Sequence, residues 1–292
     1  MELRQLQYFI TVAEELHFGR AAKRLNMTQP PLSQQIQQLE EELGIILFRR
    51  TKRVVELTDA GKFFLEGVNS SLEQLDEAIE SARRAARGEI GTLTIGFVGS
   101  ATYDLLPPLI RTYRNQYPNV EVKLRELATP LQLEELYHRK LDIGFLRPPI
   151  ESDILTTEVV HETPCILALS IHHPLAQEEH ITLAQLQNDP FILVSRNVWQ
   201  GFYDDIVFMC HRAGYSPNIK QEATEYHTVI GLVAAGVGIA IVPAALQNFA
   251  LKEVVYHNIE DITNTVKMAI AYEKERMSKE AENFIKVMKV IK

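Results

Sequence analysis

The sequence predicts an α + α/β fold: a small helical domain at the N-terminus, one long connecting helix, and a two-lobed α/β domain. Three patterns support this prediction. Residues 18–40 have the pattern of two short helices joined by a tight turn, apolar residues recur at a period of about 3.5 over residues 61–86, and strand-like segments alternate with helical ones after residue 91. The predicted domains are residues 1–58, 59–88 and 89–292.

Length, composition and cysteine count are those of an ordinary folded chain of two or three domains. Of its 292 residues, 46% are hydrophobic and 23% are charged. The longest apolar run, residues 231–246, is interrupted by glycine and proline and is shorter than the roughly 20 residues of a membrane span. The chain opens into a polar amphipathic helix rather than a signal peptide, and Cys165 and Cys210 are too few for a disulfide framework. We therefore expect a cytoplasmic protein with no membrane partner.

The second helix of the N-terminal pair has an apolar face and a polar face. Gln34 points away from the apolar side, together with Pro30 and Gln37, and Ser33 lies on the flank. Glutamine and serine side chains can bond the edges of DNA bases, glutamine pairing with adenine in particular. A solvated face on an ordinary bundle helix gives the same pattern, because helix-turn-helix spacing alone is a loose signal. The apolar stripe consists of Leu32, Ile36, Leu39 and Leu43.

The ends of this helix are also marked in the sequence. Thr28 is a natural N-cap, and Pro30 and Pro31 suit a first turn, where no intrahelical N–H bond is lost. Gly44 is expected to end the helix.

Residues 47–58 have the pattern of two short strands around a basic tip. A basic hairpin beside a helix of this kind is a wing, whose cations hold phosphates without reading sequence; a solvated charged loop is the alternative. Residues 1–58 carry a net charge of +1 and residues 59–292 a net charge of −9, so the end with the helix pair is the basic one. The cations of the tip are Arg49, Arg50, Lys52 and Arg53.

The connecting segment begins after Thr58, a plausible N-cap, and is expected to end at Arg87 and Gly88. Its apolar positions alternate spacings of four and three residues, which is the period of a coiled coil. A helix with so regular a seam is expected to pack against a second copy; a single amphipathic helix lying on its own domain is the alternative. The seam positions are Gly61, Leu65, Val68, Leu72, Leu75, Ile79, Ala82 and Ala86.

The remainder alternates strands and helices, which predicts a mostly parallel sheet in each of two lobes. The first series is strand 93–98, helix 105–117, strand 120–124, helix 130–138 capped by Thr129, and strand 142–146. The second is strands 166–169 and 191–194, helix 202–213, strand 219–222, helix 225–235 and strand 238–242, and strand 266–272 and helix 278–290 close the chain. Lobe I is predicted at about 91–161 and 266–292, and lobe II at about 162–265.

Candidate ligand-binding residues follow the strands of the first lobe. Open parallel sheets bind ligands beyond the carboxyl ends of their strands, and the free N–H groups of helix starts there favour anions. We therefore expect a small carboxylate near Ser100, Thr102, Thr129 and Arg147, with residues 199–202 as an apolar wall. The alternatives are that the hydroxyls only cap helices and that Arg147 pairs with a carboxylate of its own chain.

No catalytic, cofactor or metal motif is recognisable in the sequence. The glycines of residues 231–238 lack the Gly-Lys-Ser/Thr of a phosphate-binding loop. His172, His173, Cys165 and His211 lack the spacing of metal ligands. An enzyme is therefore not expected.

Residues 1–58 resemble the winged helix-turn-helix of LysR-type transcriptional regulators. Many members of that family have a basic residue where this chain has Gln34. The later segments extend the resemblance to the whole chain, and residues 98–103 and 222–226 are similar to the acetoin-biosynthesis (acetate-responsive) and aromatic-catabolism branches. The positions that match the N-terminal domain are residues 1–9, 21–22 and 25, 28–33, 35–36 and 39–40, 43–44 and 47–50, and 57–58 and 61.

The resemblance implies a DNA-binding transcriptional regulator, in a family that includes activators. It also implies a two-lobed effector domain like that of periplasmic solute-binding proteins. The connecting helix would form a homodimer, and the resulting tetramer would bend double-stranded DNA. The expected location is the nucleoid in the cytoplasm, with RNA polymerase as a further partner. A small-molecule-binding module without DNA activity is the alternative. The implied major-groove residues are Gln29, Pro30, Ser33 and Gln34, the phosphate contacts Arg50 and Arg53, and the cleft residues Ser100, Thr129, Arg147 and Phe202.

Overall fold

The computed structural model describes residues 1–51 and 54–291. The chain divides after Arg83 into two compact units. Within the described residues, no helix has both the length and the apolar character that crossing a lipid bilayer requires.

The described residues of the N-terminal unit form three helices, a hairpin and the first part of a long helix. The two hairpin strands pair antiparallel, as expected. Leu32, Ile36 and Leu39 are fully buried in the core of this unit, and Leu43 packs against it half-buried, which confirms the apolar stripe. The elements are α1 (Leu3–Glu15), α2 (Phe18–Arg24), α3 (Gln29–Leu43), β1 (Phe48–Arg50), β2 (Val55–Leu57) and α4 (Asp59–Ala86).

Helix α3 begins and ends where the sequence indicated. Thr28 occupies the N-cap position with extended backbone, although its side chain makes no capping hydrogen bond. Pro30 and Pro31 lie in the first turn, and Gly44 ends the helix at a φ of 71°, a left-handed conformation that glycine adopts without strain.

Helix α4 also has the predicted caps. The Thr58 hydroxyl accepts a hydrogen bond from the Gly61 N–H at 2.9 Å. At the other end Gly88 has a φ of 68°, and the Glu89 N–H donates to the Arg84 carbonyl at 2.9 Å. This is the six-residue bond that closes a helix through a left-handed residue.

The C-terminal unit contains the two α/β lobes. Its strands are β3 (Ile90–Phe97), β4 (Asn119–Glu126), β5 (Ile143–Leu146), β6 (Leu155–Ser170), β7 (Pro190–Val194), β8 (Asn218–Ala223), β9 (Ala240–Pro243), β10 (Val254–His257) and β11 (Thr265–Glu273). Its α-helices are α5 (Leu106–Gln116), α6 (Thr129–Tyr137), α7 (Gln200–Arg212), α8 (Tyr226–Ala234) and α9 (Lys279–Ile291).

The two lobes share one long strand. Residues 155–164 of β6 pair with β11 in lobe I, and residues 165–170 pair with β9 and β10 in lobe II. Strands β3, β4 and β5 are parallel, as are β7 and β8, whereas β6, β11, β9 and β10 pair antiparallel. The sheets are therefore mixed rather than mostly parallel, which corrects the expectation. Each lobe has its own apolar core, built around Phe145 and Phe284 in lobe I and around Phe191 and Ile230 in lobe II.

Candidate functional site

The outward face of α3 carries the side chains that the sequence singled out. Gln29, Pro30 and Gln34 are exposed and Ser33 is half-buried, while the opposite face is packed into the core. The polar groups therefore stand on a rigid support, because their helix is fixed by its buried stripe. Such a helix can enter a major groove and present amide and hydroxyl groups to base edges.

Arg50, a candidate phosphate contact, is held by several groups of its own domain. Its Nη2 lies 2.8 Å from Glu40 Oε2, its Nη1 donates to Ser33 Oγ at 3.2 Å, and its guanidinium lies 4.6 Å from the centroid of the Phe18 ring. Glu40 is itself mostly buried, with 14% of its side chain exposed. Arg50 thus links β1 to α3. Only the guanidinium N–H groups that do not take part in these contacts can bind a phosphate.

Glu40 is a residue that the sequence did not single out. Its Oε1 accepts the N–H groups of Leu47 and Phe48 at 2.8 and 3.0 Å, so a single carboxylate satisfies two backbone donors and one guanidinium. The hairpin is fixed to α3 through this carboxylate. The other candidate phosphate contact, Arg53, lies outside the described residues, as does Lys52.

A second candidate site is a cavity of about 340 Å³ between the two lobes of the C-terminal unit. Ser100, Thr129 and Arg147 line it, each just beyond the end of a parallel strand of lobe I. Glu225 and Tyr226, which follow β8, line it from lobe II. The sequence did not predict these two residues, although the same strand-end argument applied to β8 points to them.

Arg147 is the cation of this cavity. Its Nη2 donates to Ser100 Oγ at 3.4 Å, its backbone N–H donates to Thr129 Oγ1 at 3.2 Å, and its guanidinium lies 3.8 Å from the centroid of the Trp199 ring. Burial lowers the pKa of the guanidinium, and the nearby Glu225 acts in the opposite direction. Arginine nevertheless remains protonated in proteins.

Two buried polar groups of the cavity have no hydrogen-bond partner among the described residues. These are Arg147 Nε and the Tyr226 hydroxyl, and burial raises the pKa of that hydroxyl, so it stays protonated as a donor. An unpaired buried polar group costs about 1–3 kcal/mol. An acceptor bound within reach of either donor would satisfy it, and the starts of α6 and α8 at Thr129 and Tyr226 favour an anionic one.

Three sequence expectations for this site need correction. Phe202 is buried in the core of lobe II, and Trp199, whose ring centroid lies 4.7 Å away, covers it and contacts Arg147 in its place. The Thr102 hydroxyl donates to the Gly99 carbonyl at 2.6 Å and lines a separate cavity beside α5. Thr129 is the first residue of α6 rather than its cap, and its hydroxyl accepts from Arg147.

The cavity also contains two carboxylates that the sequence did not predict, Glu126 from lobe I and Glu225 from lobe II. A Cβ placed on Gly99 would lie 2.5 Å from Glu126 Oε1 and 3.7 Å from Glu225 Oε2. The two oxygens are therefore at most about 6.2 Å apart. Opposite lobes thus bring like charges close together in the cavity.

Family models and known proteins match the chain at both candidate sites. The model for "Bacterial regulatory helix-turn-helix protein, lysR family" matches residues 3–62, and the "LysR substrate binding domain" matches residues 86–290. The HTH-type transcriptional regulator AlsR of Bacillus subtilis (strain 168) is 50% identical over 287 residues, which cover 98% of this chain and 95% of AlsR.

Two solved structures bear on the two sites. Full-length CbnR complexed with its target DNA matches with a TM-score of 0.86 at 29% identity, covering 99% of each chain. The effector binding domain of BenM with its effector benzoate matches with a TM-score of 0.62 at 28% identity, covering 69% of this chain and 91% of that one. The CbnR structure includes DNA, and the BenM structure includes the effector benzoate.

Proposed function

The chain belongs to the LysR family of DNA-binding transcriptional regulators, and on that premise we propose which residues read DNA and which receive the effector. Gln29, Pro30, Ser33 and Gln34 contact bases in the major groove, and Arg50 and Arg53 hold the flanking phosphates. The observation that supports this is the polar face of α3, opposite the buried Leu32, Ile36 and Leu39. The structure solved with DNA is that of CbnR, which is similar to this chain over its whole length.

The effector in this proposal is a small organic acid bound between the lobes. Ser100, Thr129 and Arg147 hold its carboxylate, and Tyr226 donates to it from lobe II. Buried donors without partners support this assignment, because an acceptor in the cavity would satisfy them. The effector of BenM, benzoate, is a carboxylate. A ligand that touches both lobes favours their closed arrangement, since it gains contacts there that the open one lacks.

The proposal includes the assembly and the division of the chain. Residues 1–58 bind DNA, residues 59–88 pair two copies, and residues 89–292 receive the effector. Dimers place two reading helices on a two-fold operator, and two dimers form a tetramer that bends the DNA. In this proposal the protein acts at the nucleoid in the cytoplasm and contacts RNA polymerase there.

Replacement of the reading residues tests the DNA assignment. An operator is first selected from a random duplex library with the wild-type protein, and its affinity is compared with that for scrambled duplex. We expect Ser33→Ala and Gln34→Ala to lower the ratio of the two affinities by about 5- to 100-fold, since a good base contact contributes about 1–3 kcal/mol of discrimination. Gln116→Ala, on the exposed side of α5, is the control. An unchanged ratio in both α3 variants contradicts the assignment.

A further inference from the structure

The described side chains that line the cleft carry more negative than positive charge. The charged side chains among the described residues that line it are Arg147, Glu126 and Glu225, which gives a formal charge of −1. Arg147 contacts Ser100 and Thr129, and the two carboxylates meet beside Gly99, the residue before Ser100. A ligand in the cleft therefore meets one cation and two anions.

Neither carboxylate is neutralised by an ion pair within the described residues. Glu225 is near enough to Arg147 to affect its pKa, yet no salt bridge joins them, and Arg147 Nε stays without a partner. A metal ion bridging the carboxylates lacks further ligands, because no group of three or more His, Cys, Asp or Glu side chains comes together in the described part of the chain. The two negative charges are thus available to act on whatever enters the cleft.

We propose that Glu126 and Glu225 select the effector by charge, admitting acids with a single carboxylate and excluding dicarboxylates. This inference rests on the proposed function of the cleft. One carboxylate of a ligand can pair with Arg147, but a second would have to lie near two like charges with no cation of its own. A neutral or hydrogen-bond-donating far end meets no such penalty, and a hydroxyl there can donate to either glutamate.

The size of the effect follows from Coulomb's law. Two unit charges separated by about 6 Å, in surroundings between protein and water in polarity, repel enough to change an equilibrium by roughly tenfold. A second ligand carboxylate about 6 Å from each of the two glutamates would therefore be disfavoured about a hundredfold. The carboxylates are exposed, so salt weakens the effect, and the measurement belongs at low ionic strength.

The test compares acids that differ only at the far end. Butyrate and succinate form one pair, and benzoate and terephthalate form another. Kd values are measured with the full-length protein by calorimetry, for the wild type and for the Glu126→Gln, Glu225→Gln double variant. We expect the wild type to bind the monocarboxylate of a pair about 100-fold more tightly than the dicarboxylate, and the double variant to reduce this ratio to below about tenfold.

A glutamate outside the cleft provides the matched control. Glu121 lies on β4, the same strand as Glu126, but it is ion-paired with Lys123 at 3.3 Å and does not line the cavity. The Glu121→Gln variant should keep the wild-type ratio. If monocarboxylates bind and the double variant keeps that ratio as well, the selectivity inference is overturned while the effector site stands. If the wild type binds neither butyrate nor benzoate, the proposed effector site itself is overturned, and the inference with it.

Discussion

The hydroxyl of Tyr226 is the group whose substitution best tests whether the cavity between the lobes binds a ligand. It is buried at the start of α8 and has no hydrogen-bond partner among the described residues. A hydroxyl in that position lowers the stability of the empty protein, because its bonds to water are lost on folding and are not replaced. This cost is offset if the hydroxyl donates a hydrogen bond to a ligand in the effector-bound protein.

The Tyr226→Phe variant should therefore separate stability from affinity. Without a ligand we expect its free energy of unfolding to be equal to the wild type or up to about 1–2 kcal/mol higher, since an unsatisfied group is removed. The same variant should bind benzoate or butyrate about tenfold more weakly. Denaturant unfolding measures the first quantity and calorimetry the second.

Tyr215→Phe is the contrasting variant. The Tyr215 hydroxyl donates to the Leu183 carbonyl at 3.0 Å, away from the cleft, so its loss should cost about 1 kcal/mol of stability and leave ligand affinity unchanged. A Tyr226→Phe protein that is as destabilised as Tyr215→Phe would show that its hydroxyl already has a partner. A Tyr226→Phe protein with wild-type affinity would remove Tyr226 from the site.

Sequence reasoning found part of the cleft because strand ends are recognisable one at a time. Ser100, Thr129 and Arg147 each follow a parallel strand of lobe I, and the rule for open sheets brings them together. The prediction that Thr102 lines the cleft was wrong because a 3₁₀ turn at Gly99–Thr102 directs its hydroxyl to the Gly99 carbonyl. The prediction for Phe202 was wrong because sequence spacing does not show which of two stacked aromatic rings faces the cleft.

At the scale of elements, the contact between the hairpin and α3 depends on a partly buried ion pair. Glu40 on α3 bonds the first N–H groups of the hairpin and the guanidinium of Arg50, and Arg50 in turn bonds Ser33. The basic residue expected to face phosphate therefore also fixes the reading helix relative to the wing. The pattern of charges along the sequence gives no sign of this, because the partners are ten residues apart and on different elements.

Replacement of Glu40 by Gln should loosen this contact. The amide keeps one acceptor oxygen but removes the charge that pairs with Arg50, and we expect a loss of about 1–3 kcal/mol in the free energy of unfolding of the N-terminal unit. Operator affinity should fall with it, because Ser33 and the hairpin lose their fixed positions. Thermal unfolding and DNA titration measure the two effects.

Glu41 provides the control on the same helix. It is exposed and accepts a hydrogen bond from Gln37 at 3.0 Å, so Glu41→Gln should change stability by less than about 0.5 kcal/mol. Equal stability of the Glu40 and Glu41 variants would mean that the buried pair does not hold the hairpin.

The elements that the sequence missed are those without a local signal. Strand β6 was predicted only over residues 166–169, where buried apolar residues are continuous; its first half alternates with charged and threonine side chains on a half-exposed surface. Strand β10 is short and mostly half-buried. Both strands are stabilised by antiparallel pairing with strands that are distant in the sequence. Strands of this kind depend on tertiary context rather than on the residue pattern of the strand itself.

At the scale of the whole molecule, the long helix α4 is where two copies are proposed to meet. Its seam is open over much of its length in a single chain: Leu75 and Ile79 are 39% and 41% exposed. Gly61, at the start of the seam, is fixed instead by a close approach to the Leu47 carbonyl, which leaves no room for a Cβ. Exposed aliphatic residues at a heptad spacing are stabilised when they pack against the same residues of a second helix.

Charge at two seam positions should therefore separate the copies. The Leu75→Glu, Ile79→Glu double variant would bury four carboxylates in a two-stranded seam, so we expect a monomer, or a dimer weakened at least 100-fold, by sedimentation. Operator affinity should fall sharply because each monomer binds only one half-site. Ser70→Glu, on the side of α4 away from the seam, should leave the assembly intact. A double variant that sediments like the wild type would mean that the copies pair through another surface. The two reading helices would then be arranged on a two-fold operator in a different way.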